Sequence, residues 1–154
     1  MKRIILPLLL LAASTMACHA SSPSDLFDEF KGTPGAEYVS VPPFMIRCAK
    51  ALGCMPGDIP LAGNIKSMKI LSIDGASAAD RQRFDKRVKS ACEGMDELIR
   101  VKDDSSSVRI ITRADADSYH DIYILASDGN ELAFIELRGK FSQSDIQKML
   151  QDKD

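Results

Sequence analysis

The sequence predicts a two-layer α+β domain: an antiparallel or mixed sheet of about six strands, closing in a C-terminal meander, with helices packed on one face. Three observations point there. Four β-rich runs stand in series after Met95, joined by turn-forming segments short enough for hairpins. Two more extended runs precede them. The intervening segments include amphipathic helices, whose apolar stripes need a sheet to cover.

Taken in order, Asp25–Lys31 reads as a short helix with Leu26, Phe27 and Phe30 on one side and Gly32 as its stop. Gly32-Thr-Pro-Gly35 is a turn, and Glu37–Val41 a strand closed by Pro42-Pro43. Pro43 opens a second helix, Phe44–Leu52, which ends at Gly53. A Gly/Pro-rich loop, Met55–Gly63, leads to a strand at Ile65–Ile73 and a turn at Asp74-Gly75. The clearest helix follows. Ser77 and Asp80 have capping-box spacing, and Phe84, Val88, Ala91, Cys92 and Met95 recur at i, i+4, i+7, i+8 and i+11. The meander strands are Glu97–Lys102, Val108–Arg113, Tyr119–Ala126 and Glu131–Arg138. The last helix is capped by Ser142 and Asp145, with Phe141 and Ile146 in the staple positions; Ile146, Met149 and Leu150 form its apolar edge.

The first residues carry an address. Lys2 and Arg3 form a charged n-region, Ile4–Ala13 an apolar stretch, and small residues then lead to Cys18. Ten apolar residues are about half of the ~20 that span a bilayer, so residues 1–17 read as a secretory signal peptide. Small residues directly before a cysteine predict a lipoprotein anchored through Cys18, with 18–24 as a tether and 25–150 as a single domain. Thr15 and Ala17 also satisfy ordinary signal cleavage, which would leave a soluble periplasmic product. The expected location is an envelope membrane, facing the periplasm or the cell surface. The lack of an acidic run after Cys18 favours the periplasmic side.

Composition removes several function classes. Without residues 1–17, 137 remain, enough for one domain burying roughly two thirds of its unfolded surface. The formal charge is −2, or −4 without Lys2 and Arg3, which argues against a nucleic-acid partner. Trp is absent and aromatics are 6%, too few for a stacking platform.

No catalytic, cofactor-binding or metal-ligating set is predicted. His120 is the lone imidazole of the domain and, by strict alternation, shares a strand face with Ile122, Ile124 and Ala126. No Gly-x-Ser-x-Gly elbow supports a serine hydrolase, which leaves a pairing of His120 with Cys48, Cys54 or Cys92 as the hydrolytic alternative. Three cysteines and His120 lack the short spacing of a zinc site. Asp115, Asp117 and Asp121 fail the calcium-loop pattern, since its glycine and glutamate places hold His120 and Ala126; they read as a solvated turn. No phosphate-cradling loop is present.

Cys48 and Cys54 are the candidate disulfide. An unbroken helix would set their α-carbons about 9 Å apart, beyond the ~4.4–6.8 Å a bridge spans, but a left-handed turn at Gly53 brings Cys54 back. Pairing of either with Cys92 would close a loop of about forty residues, worth about 4 kcal/mol against about 2.4 kcal/mol for the short loop. Cys92 itself reads as a small buried hydrophobe. Arg83, Lys86 and Arg87 line the outer side of the third helix, either as a solvated face or as a surface for anionic headgroups.

Several stretches resemble the domain of unknown function 4252 family of small exported bacterial proteins and lipoproteins. They are Tyr38-Val-Ser-Val41 with Phe44-Met45, Ile65-Lys-Ser-Met-Lys-Ile-Leu71, Glu97-Leu-Ile-Arg-Val-Lys-Asp-Asp104, the strand Leu132–Gly139, and Asp145-Ile146. The resemblance runs from Ser24 to Leu150 and implies an exported domain with no assigned activity, so it carries over no functional residue. The leading expectation is a non-catalytic binding or assembly module with an envelope protein partner. The alternatives are a small hydrolase using a Cys/His or Asp site, and a membrane-surface or stress-responsive module.

Overall fold

In the computed structural model, which describes residues 22–53 and 61–151, six strands pair into one fully antiparallel sheet. In chain order the elements are α1 (Asp25–Phe30), β1 (Ala36–Val41), α2 (Pro43–Ala51), a 3-10 turn (Ala62–Asn64), β2 (Ile65–Ile73), α3 (Ala78–Ala91), β3 (Asp96–Lys102), β4 (Ser106–Asp115), β5 (Ser118–Asp128), β6 (Glu131–Phe141) and α4 (Gln143–Gln151). Across the sheet the order is β1-β2-β6-β5-β4-β3. β3 to β6 form the expected meander. The long connection from β2 to the far edge at β3 is filled by α3, which crosses one face of the sheet.

Local chemistry places these elements. Ser77 accepts from the Asp80 amide at 3.1 Å and opens α3, satisfying a backbone donor that the first turn leaves free. Ser142 and Asp145 cap α4 reciprocally, at 2.9 and 3.2 Å. Pro43 stands at the first turn of α2, where its missing N–H is no loss. Gly35 is required twice over. Its φ is +79°, and an added Cβ would lie 2.1 Å from the Asp74 carbonyl oxygen.

Two apolar clusters sit on opposite faces of the sheet. On one, α1 and α3 bring Leu26, Phe27, Phe30, Phe84 and Val88 onto Leu71, Tyr123, Leu125 and Phe134. Phe27 stacks on Phe134 with centroids 4.7 Å apart, and Phe30 meets Phe84 edge-on at 5.2 Å. Burying each such side chain contributes about 1.5–3 kcal/mol. On the other face, Ile46 of α2 and Ile146 of α4 pack with Leu61, Ile65, Ile122, Leu137 and Phe141. The four helices are therefore divided between the faces, whereas the sequence pattern places them on one. The reason lies in the strands: Ile122 and Tyr123 are adjacent and both fully buried, so alternation sends apolar side chains to both sides. The side chains of Met149 and Leu150 lie outside the described residues.

Candidate functional site

On the α2/α4 face the strand register aligns one β-branched residue from every strand. Val39, Ile70, Ile135, Ile124, Ile110 and Ile99 are cross-strand partners in succession, a row about 24 Å long at ~4.8 Å per strand. α2 and α4 do not close over it. Val39 is 52% exposed, and the five isoleucines are only half-buried. The next row runs Glu37, Ser72, Ala133, Ala126, Val108 and Val101. Its three central side chains are small, so the surface dips there into an open trough of about 550 Å³. Asp74, Asp128 and Glu131 stand along its end. Phe44 and Met45 of α2 add further exposed apolar surface.

On the α1/α3 face a carboxylate lies in the core. Glu136 is 1% exposed and is flanked in register by Lys69 of β2 and Tyr123 of β5. Its Oε1 accepts from Tyr123 Oη at 3.1 Å, from Arg138 Nε at 3.2 Å and from the Ser24 hydroxyl. Lys69 Nζ stands 3.6 Å from Oε2, which receives no hydrogen bond from the described residues, and lies over the Phe27 ring. Arg138 also donates to Ser24 Oγ at 2.9 Å. A buried charge is tolerated only where it is paired, and here the partners come from β2, β5, β6 and the start of α1. The cluster ties Ser24, the residue that opens α1, to the middle of the sheet. Burial and the Glu136 charge push the Tyr123 phenol well up, so it remains a donor.

The other sequence-predicted residues are dispersed. Cys18 and Cys54 lie outside the described residues, so the lipid site and the Cys48–Cys54 bridge do too. Cys48 is exposed on α2 and Cys92 is buried where α3 ends. They belong to opposite faces and are not bonded to each other. Burial pushes the Cys92 thiol up, away from the thiolate that nucleophilic or ligand chemistry needs. Of the basic face, Arg83 and Arg87 both pair with Glu29 of α1, at 3.3 and 2.8 Å, and Arg83 also covers the Phe30 ring at 4.6 Å. Lys86 remains exposed, beside Lys89 and Glu93.

His120 departs from strict alternation. Asp121 adopts φ +51°, and the pairing shifts there, between His120 and Ile122. This bulge puts Tyr119 on the face of Ile122 and turns His120 to the opposite one. There Nε2 meets Asp115 Oδ2 at 2.9 Å and Ser118 Oγ at 3.2 Å. A serine relay needs the two ring nitrogens to serve different partners; here one nitrogen serves both. Asp117 lies in the exposed turn. Among the described residues no three His, Cys, Asp or Glu side chains converge for a metal, and no helix is long and apolar enough to cross a membrane.

Sequence reasoning passed over Glu136 and the Ile99–Val39 row. Both were signalled: Glu136 stands at an inward position two residues beyond Phe134, and the β strands carry apolar residues on both parities. No curated protein and no solved structure matches the chain. A family model does match, over residues 30–149, and by that match the chain belongs to the family described as Domain of unknown function (DUF4252).

Proposed function

We propose that this protein is an exported lipoprotein, anchored through Cys18, that acts without catalysis as a binding module for a protein partner at the cell envelope. The observation that carries the reading is the uncovered row of β-branched side chains across all six strands. Apolar surface of this extent, rimmed by charge, marks an interaction site on a folded domain. The small residues of the neighbouring trough give that face relief, which a flat apolar sheet lacks. The short N-terminal segment after Cys18 fits attachment to a membrane, since a lipoprotein cysteine bearing more than one acyl chain is held stably.

Two experiments test it. A photo-crosslinking residue placed at Ile124 or Ile135 in the full chain, in cells, should give a discrete product with an envelope protein. The same residue at Gln82 on α3 should give none, and Ile110→Asp should abolish the Ile135 product while the circular dichroism spectrum is unchanged. Equal labelling from Gln82, or a product indifferent to Ile110→Asp, would refute the binding face. Fatty-acid labelling should disappear in Cys18→Ala; labelling that persists would refute the anchor.

A further inference from the structure

The two edges of the sheet are built differently. β3 carries four charged residues in seven, Asp96, Glu97, Arg100 and Lys102. Leu98 is an extra residue between the pairs Glu97↔Ile111 and Ile99↔Ile110, so the strand is bulged. A second β3 pairing antiparallel about Arg100 would set two guanidinium groups opposite each other. Charges and a bulge are the usual defences of an edge against strand addition. β1 at the other edge has no bulge and little charge. It pairs with β2 without a register shift from Ala36 to Val41, carries Glu37 as its one charge, and is exposed from Glu37 to Ser40. Among the described residues no strand lies outside it.

We infer that β1 is a docking edge for a second copy of this chain, paired antiparallel about a twofold axis at Val39. The pairing is self-complementary. Val39 meets Val39 of the second copy, Tyr38 meets Ser40, and Glu37 meets Val41, so no like charges are opposed and every pair keeps its sheet face. An axis at Glu37 would oppose two carboxylates and is disfavoured. With the axis at Val39 the transverse row ending at Val39 continues into the same row of the second copy, and the two uncovered faces become one surface. A strand of six residues buries less than the ~800 Å² per partner of a standard interface, so the dimer is of the weak, concentration-dependent class. The pairing concerns the edge and stands apart from the binding role of the face.

Disulfide trapping tests it on the full chain, processed by the producing cell. Directly opposed residues in an antiparallel pair have α-carbons about 4.5–5.5 Å apart, within reach of a disulfide. Under mild oxidant Val39→Cys should become mostly dimer, with a 39–39 linkage found by peptide mapping, while Val101→Cys on the β3 edge stays monomeric. Glu37→Cys and Val41→Cys should each remain monomeric alone and cross-link when mixed, which reads the register. Val39→Lys should remove the dimer seen by sedimentation at high concentration. A Val39→Cys chain that cross-links no more than Val101→Cys would overturn the pairing. Cross-linking of Glu37→Cys with itself would overturn the axis.

Discussion

Tyr123 and Glu136 face each other across neighbouring strands, and the phenol donates to the carboxylate at 3.1 Å inside the core. The same oxygen holds Ser24 and Arg138, so one acid links the start of α1 to three strands. Its removal and the removal of its partners have different consequences, because an unpaired buried charge is worse than no charge.

Tyr123→Phe should destabilise the protein by about 1.5–3 kcal/mol, the range for a hydrogen bond to a charged group. Adding Glu136→Leu should recover part of that loss, since Arg138 and Lys69 are 48% and 29% exposed and reach water once the acid is gone. Urea unfolding checks this as a shift in midpoint at constant slope. A double variant less stable than Tyr123→Phe alone would contradict the account.

Glu97 makes a pH-dependent contribution to the stability of the fold. Hydrogen bonds first from Arg100 and then from Arg109, which stand 2.7–2.8 Å away, hold its carboxyl down to about 2 from 4.5. A folded value below the unfolded one means stability that is complete above about pH 4.5 and is lost as the pH falls toward 2. Glu97→Gln should therefore be less stable than the parent near neutral pH, and the gap between their unfolding midpoints should close as the pH is lowered through that window. A gap that stays constant would show that the two arginines do not depend on this charge.

Much of this architecture was legible in the chain, and the exceptions have physical causes. α3 was readable because Ser77 supplies a cap and Phe84, Val88 and Ala91 share one helical face; β2 was readable because Pro, Gly and Asp punctuate both its ends. The side taken by His120 was not, since it depends on a left-handed backbone at Asp121, a residue that periodicity treats as any other. Nor was the division of the helices. Ile122 and Tyr123 announce that both faces are apolar, but which helix covers which face depends on the strand order β1-β2-β6, and that is set by contacts far apart in sequence. The candidate face escaped for the same reason: Val39 and Ile99 lie on different edges and become one row only through five strand pairings.

Glycine substitutions separate conformational strain from crowding. Gly129 has φ +54° with open space around it, so Gly129→Ala should cost only the left-handed strain, about 1–2 kcal/mol. Gly35→Ala meets the same strain and drives its Cβ to 2.1 Å from the Asp74 backbone oxygen. Crowding of that kind adds about 1–3 kcal/mol, and the turn before β1 or the Asp74 turn after β2 must shift to relieve it. Thermal unfolding should rank the two variants accordingly, with Gly35→Ala the less stable. Equal midpoints would show that the Asp74 turn yields freely.

The thiols should report the two-sided packing directly. In reduced native protein a maleimide should modify Cys48, exposed on α2, and spare Cys92, which is buried under α3 with its thiol pushed up by that burial. Reaction needs the thiolate and access, and Cys92 has neither in the folded state. Modification of Cys92 should appear only at denaturant concentrations where the core opens. It should track unfolding rather than reagent concentration, because the label must wait for α3 to leave Phe84 and Val88 exposed. Peptide mapping at rising urea distinguishes the cases. Labelling of Cys92 well before the unfolding midpoint would mean that α3 detaches as a separate unit, and the α1–α3 pairing through Glu29, Arg83 and Arg87 would then be too weak to hold that layer on the sheet.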